Sequence, residues 1–197
     1  QMVVQSLTKY IAGHGDVTGG IVATTRMRHE KLANYIKMAG GVLGPFESWL
    51  TLRGVKTLPL RMRAHCENAV AVARGLVDHP RIANVNFPGL DTHPSHATAQ
   101  RLFGERGYGG MISFDIKDAG RERAFAFLEA LRMIVPATTL GDVYSLALYP
   151  AMSSHRALTP ERRAEVGIGD GLIRLSVGIE DPQDVLDDLD QALRKAT

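Results

Sequence analysis

Apolar and polar positions change period several times along the chain. Met2-Val3-Val4-Gln5-Ser6-Leu7 is an apolar, strand-like run with no cap or lead-in, and it reads as a chain entered midway. Gly13-His14-Gly15-Asp16 predicts a loop, and Gly19-Gly20-Ile21-Val22-Ala23-Thr24-Thr25 has the β-branched content of a buried strand. From Arg26 to Ala39 the spacing is helical, with Leu32, Ile36 and Ala39 on one side and Gly40-Gly41 as the stop. Pro45 opens a short helix through Trp49 and Leu52. Thr57 to Val77 predicts a long amphipathic helix with Pro59 in its first turn, ended by Asp78-His79-Pro80. Beyond it, short strands (Ile82 to Phe87, Gly110 to Ile116, Leu172 to Val177) alternate with helices (Arg121 to Leu131, Pro160 to Val166, Pro182 to Arg194). That texture predicts an α/β architecture, one sheet with helices packed on one face. A boundary near residue 60 follows, giving domains 1–60 and 61–197 joined by the long helix.

Composition narrows the classes without choosing a function. A chain of 197 residues, 45% hydrophobic and 22% charged, suits one large domain or two small ones. The 23 Lys+Arg against 21 Asp+Glu leave a formal charge of +2, too balanced to argue for nucleic acid or a membrane surface. No apolar run is long enough to cross a bilayer, and no charged start leads an apolar stretch to a cleavage site, so a cytoplasmic protein is expected. The single cysteine, Cys66, cannot form an internal disulfide, which fits a reducing compartment. It lies in Arg63-Ala64-His65-Cys66-Glu67-Asn68-Ala69-Val70, a mid-helix setting that favours a structural role over a nucleophilic one. The seven histidines lack metal-ligand spacing; the nearest approach, His93-Pro94-Ser95-His96, reads as a loop before a helix, so no metal site is expected.

The segment that carries chemistry is Ser6-Leu7-Thr8-Lys9-Tyr10, followed by Gly13-His14-Gly15-Asp16 and Gly19-Gly20. A lysine that holds a carbonyl cofactor covalently must be delivered at a strand end. It needs small hydroxyl residues nearby for a phosphate, and glycines that let the backbone crowd a ligand. All three are present here. A lysine flanked by Ser and Thr is more often a solvated surface charge; the apolar run before Lys9 and the glycine-rich turn after it favour the functional reading.

Ser-x-Thr-Lys-Tyr-x-x-Gly-His-x-Asp-x-x-Gly-Gly resembles the cofactor-lysine signature of the Cys/Met-metabolism family of pyridoxal-phosphate (PLP) enzymes. That family includes methionine γ-lyase, cystathionine lyases and synthase, and the O-acylhomoserine sulfhydrylases. The resemblance covers essentially the whole chain. It includes Gly44-Pro45-Phe46-Glu47-Ser48-Trp49-Leu50-Thr51-Leu52-Arg53-Gly54-Val55-Lys56-Thr57-Leu58, Leu140-Gly141-Asp142, Tyr149-Pro150-Ala151, Ser154-His155, and the closing strand Gly171-Leu172-Ile173-Arg174-Leu175-Ser176-Val177-Gly178-Ile179-Glu180. It implies the PLP-dependent transferase fold type I: residues 1–60 as the end of the large cofactor domain, 61–197 as the α/β carboxy-terminal domain.

Residue by residue, the resemblance implies that Lys9 carries PLP, that Ser6 and Thr8 bind its phosphate, and that Arg174 clamps the substrate α-carboxylate. Thr139 falls where relatives place a serine that touches the same carboxylate. Three departures stand out: Gln5 for histidine, Thr138 for the glutamate of cystathionine-handling members, and Tyr144 for glutamate. A neutral Thr138 removes the attraction for a distal ammonium and tilts the pocket toward methionine, homocysteine or a similar substrate. Gly141-Asp142 in place of Gly-Gly leans the same way.

The implied reaction is α,γ-elimination by a carbon–sulfur lyase, with γ-replacement, as in cystathionine γ-synthase or a sulfhydrylase, as the alternative. A third reading, of a different class, is a non-catalytic fragment that docks on full-length subunits. The family places the partner of the cofactor's ring nitrogen, a stacking aromatic ring and further phosphate contacts upstream of the lysine. The expectation is therefore a chain inactive by itself, working with an upstream half in a homotetramer.

Overall fold

In the computed structural model, which describes residues 1–196, the chain divides into two compact units. One is Gln1–Pro59 and the other begins at Leu60. The division falls in the first turn of a long helix.

The first unit is built around an antiparallel ribbon. Strands β1 (Met2–Ser6) and β2 (Gly20–Thr24) pair from Met2↔Thr24 to Ser6↔Gly20. Between them run an irregular helical turn, Leu7–Ile11, and the glycine loop. Helices α1 (Arg26–Ala39) and α2 (Pro45–Val55) follow; Gly40, at φ +77°, ends α1, and Pro45 starts α2. The buried centre is small: Leu7, Ala12 and Val17, flanked by Ile11, Leu43 and Leu50.

The buried strand expected over Gly19–Thr25 is a strand, but it is not buried. Ile21 is 49% exposed, and on β1 Val4 is 70% exposed. β-branched residues favour the pleated backbone, but burial needs a second layer, and nothing within this unit covers either face of the ribbon.

The second unit holds a five-stranded sheet in the order β3-β4-β7-β6-β5. Its strands are β3 (Ile82–Asn86), β4 (Met111–Ile116), β5 (Val135–Pro136), β6 (Leu146–Leu148) and β7 (Leu172–Ser176). All neighbours are antiparallel except β5 and β6. Alternate residues of β4 (Ile112, Phe114, Ile116) and of β7 (Ile173, Leu175) turn to one side. They join one core with Ala69, Val72, Ala73 and Leu76 of α3 (Leu58–Val77), Ala124 and Phe127 of α5 (Arg121–Ala130), and Val185, Leu189, Ala192 and Leu193 of α7 (Pro182–Lys195). Phe114 meets Phe127 edge to face at 6.0 Å. Two shorter helices, α4 (His96–Phe103) and α6 (Pro160–Glu165), complete the set; Thr159 caps α6, and Asp181 caps α7 with Pro182 behind it. Cys66 is buried on α3 against Gly107.

Asp188 is a buried polar group with a structural task. Its carboxylate accepts from the backbone N–H groups of Arg132, Met133 and Ile134 at 2.8–2.9 Å. Burial pushes this carboxyl up, but the three backbone donors and Gln191 outweigh it and hold it below the ordinary aspartate value.

Candidate active site

The first cluster lies in the turn after β1. Ser6, the last residue of the strand, is extended (φ −79°, ψ 118°), exposed, and makes no side-chain cap to the turn. The helical path breaks at half-buried Lys9 (φ −92°, ψ −139°), whose carbonyl accepts from Gly13 N at 2.9 Å. Thr8 ties the turn to the far end of the glycine loop. Its Oγ1 accepts from Gly19 N at 2.9 Å and donates to Gly19 O at 3.3 Å. His14 holds the Ala12 carbonyl through Nδ1 at 2.6 Å. A Cβ at Gly54 would overlap the Ala12 carbonyl, so α2 can pass this turn only with glycine there.

The donor set suits PLP: one amine for an aldehyde carbon and two hydroxyls for a phosphate. Ser6 is exposed for such a role. Thr8 can turn its single proton from the long bond to Gly19 O toward a phosphate while still accepting from Gly19 N. The Thr8 hydroxyl thus has a local structural duty that its spacing in the sequence did not announce.

The second cluster is the loop running from Thr138 to Ser145, laid against β7 and its continuation. Side chains at every second position of a strand face the same way. Arg174 and Ser176 follow that period, and Gly178 and Glu180, past the end of β7, meet the loop as well. Arg174 Nη2 donates to the carbonyls of Thr138 (3.1 Å) and Thr139 (2.9 Å). Gly141 N donates to Ser176 Oγ at 2.8 Å, and Gly178 N to Ser145 Oγ at 2.9 Å. Glu180 accepts from Ser145 N at 2.5 Å and from Ser145 Oγ at 3.0 Å. A Cβ at Gly178 would overlap the Val143 carbonyl, so the loop can lie this close only over glycine.

Helix α3 holds the other edge of the same segment. His65 Nδ1 lies 2.7 Å from Val177 O, and Asn68 Nδ2 donates to the carbonyls of Gly178 (3.2 Å) and Glu180 (2.6 Å). A carbonyl can only accept, so Nδ1 carries the proton. Burial lowers the His65 ring below the usual histidine value against the pull of the Val177 carbonyl; the Arg61 charge adds to the lowering, while Glu180 and Asp142 oppose it. Arg61 and Asp142 are themselves buried, at 5% and 2% exposure, and attract one another.

Of the expected site residues, Ser6, Thr8 and Lys9 fall together in the first unit, and Thr138, Thr139 and Arg174 in the second. Thr138 and Thr139 meet Arg174 through their backbone carbonyls. Ser145, Ser176, Glu180, His65 and Asn68 had been given no role. The two-residue period from Arg174 was the signal that could have found Ser176; Glu180, past the end of the strand, carried no such signal. Among the described residues, no group of three or more His, Cys, Asp and Glu could hold a metal, and no helix is long and apolar enough to cross a membrane. His93 and His96 are hydrogen-bonded to Asn86 and the Pro88 carbonyl.

A lysine in a glycine-backed turn suits a carbonyl cofactor, and an arginine held on a strand suits a carboxylate. Comparison with known proteins makes this specific. The Cys/Met metabolism PLP-dependent enzyme family matches residues 1–194. A cystathionine gamma-lyase of Bacillus subtilis is 47% identical over 98% of this chain and 50% of its own length. An L-methionine gamma-lyase of Fusobacterium nucleatum is 43% identical over 98% of this chain and 49% of its own. The crystal structure of cystathionine gamma synthase from Xanthomonas oryzae, solved with aminoacrylate and cysteine, superposes with a TM-score of 0.90 at 45% identity, covering 99% of this chain and 50% of that one. The chain belongs to the Cys/Met metabolism PLP-dependent enzymes, and its fold is the α/β fold of that family. It spans about half the length of the relatives it matches.

Proposed function

We propose that this chain supplies the cofactor lysine and the carboxylate-binding arginine of a PLP-dependent enzyme acting on a sulfur amino acid. The observation that carries the reading is Lys9, set in a turn whose signature and glycine backing match the family over residues 1–194. Lys9 would hold PLP, with Ser6 and Thr8 donating to its phosphate. PLP, when bound, supplies an electron sink for the carbanion formed at the substrate α-carbon.

The protein's own groups do the rest. Lys9 Nζ takes the α-proton, and it is the group that can move protons nearer the leaving group. Arg174 would grip the α-carboxylate through its planar guanidinium, whose Nη2 is oriented by two loop carbonyls. Thr139 lies in the same loop and would share the carboxylate. Thr138 brings no charge to attract a second substrate ammonium, which favours methionine, homocysteine or a similar thioether over cystathionine.

Elimination is the first reading and γ-replacement the second, because the first steps are common to both and the relatives include lyases and a synthase. The chain is proposed to act together with the part of its relatives' length that it does not span, as part of a longer chain or beside a companion fragment, in an oligomer. A product assay on the assembled protein separates the two activities. Release of 2-oxobutyrate from methionine without added thiol supports elimination, while product that appears only with a thiol acceptor supports replacement. Full turnover by the 197-residue chain alone would contradict the need for a companion half.

A further inference from the structure

Arg174 owes its pose to the loop, and the loop owes its place to other side chains. The carbonyls of Thr138 and Thr139 hold Nη2, and neither residue is buried. Three residues further on, Gly141 N is fixed by the hydroxyl of Ser176, which is fully buried. Ser145, also fully buried, closes the loop; its N–H and hydroxyl both reach the Glu180 carboxylate, and its oxygen accepts from Gly178 N. Ile179 N adds a bond to Val143 O at 2.8 Å.

The strand and the segment just after it therefore present the arginine and its scaffold. Arg174 can reach its carbonyls only while Ser176 and Glu180, two and six residues along, keep the loop at that distance. The scaffold is braced from behind by His65 and Asn68, three residues apart on one face of α3.

We propose that Ser176 and Glu180 are positioning residues for substrate recognition: they fix the 138–145 loop, and the loop fixes the guanidinium plane that selects an α-carboxylate. The proposal rests on the reading of Arg174 as the carboxylate clamp. Its consequence is a loss of discrimination without a matching loss of general binding, because neither residue touches the ligand.

The test uses the assembled full-length holoenzyme and two unreactive probes, L-alanine and L-alaninamide, with Kd measured by titration calorimetry and folding checked by circular dichroism. The ratio of the two affinities reports recognition of the carboxylate. Ser176→Ala and Glu180→Ala each lower that ratio about tenfold, the worth of one well-placed charged hydrogen bond. Glu180→Gln keeps the shape and one acceptor oxygen and restores most of it. Ser176→Ala changes little volume, so it carries the test even where Glu180→Ala does not fold. A ratio unchanged in Ser176→Ala and Glu180→Gln, with Glu180→Ala unchanged or weakening both probes equally, overturns the proposal. Arg174→Lys separates the two levels. If it lowers the ratio while the scaffold variants do not, the positioning inference alone fails. If it leaves the ratio unchanged, the carboxylate reading fails and takes the inference with it.

Discussion

The two units of this chain solve opposite problems. The second has a continuous core drawn from α3, α5, α7, β4 and β7, and its loop is pinned by buried polar groups with well-defined partners. The first carries the candidate catalytic lysine on a ribbon whose apolar residues are exposed, around a centre of Leu7, Ala12 and Val17. Its chemistry-bearing turn is tied by the hydrogen bonds of Gly19 N to the Thr8 hydroxyl and of Gly13 N to the Lys9 carbonyl. The chemistry-bearing turn and the larger buried core thus lie in different units.

Substitutions can break this contrast. The largest effect is expected at Lys9: Lys9→Ala in the assembled enzyme should lower kcat by about 10³-fold or more, because it removes the proton-transfer group, with the circular dichroism spectrum unchanged. Core variants come next. Phe127→Ala should cost ~3–5 kcal/mol in denaturant unfolding of the second unit, since the ring is fully buried against Phe114. Val4→Ala, on the exposed ribbon, should change unfolding of the isolated chain by less than ~0.5 kcal/mol. Comparable losses for the two would erase the distinction between the units.

Asp188→Ala should cost ~1–3 kcal/mol by orphaning three backbone donors. Because the folded carboxyl sits below its ordinary value, its contribution is present above the unfolded value of about 3.9 and is lost as pH falls through the lowered folded one. A pH-dependent effect belongs to His65. Its folded ring binds a proton less readily than the unfolded one, so stability should fall as pH drops below about 6.5, where the unfolded chain protonates first. His65→Gln should flatten that slope in thermal unfolding measured at several pH values, with Arg61, Asp142 and Glu180 as the charges that modulate it.

Much of this was legible beforehand, for identifiable reasons. Helices α1, α2, α3, α5 and α7 follow apolar spacing bracketed by Gly40, Pro45, Pro59 and Pro182, so period and punctuation agreed. β5 and β6 were not anticipated. The first is two residues with a proline at the sheet edge, and the second is a three-residue run, Leu146–Leu148, buried throughout and too short to show a period. The exposure of β2 escaped because β-branched content reports backbone preference and not what lies over a strand. Lys9 and Arg174 stood out through the family resemblance; the scaffold of Arg174 did not, since hydrogen bonds from Gly141 to Ser176 and from Ser145 to Glu180 join residues 35 apart in sequence.

The central claim, that Lys9 is the residue carrying PLP, is tested most directly by borohydride reduction of the assembled holoenzyme followed by peptide mass spectrometry. A phosphopyridoxyl group is predicted on Lys9. Modification of Lys31, Lys37, Lys56, Lys117 or Lys195 in its place, or of no lysine in this chain, would contradict the account.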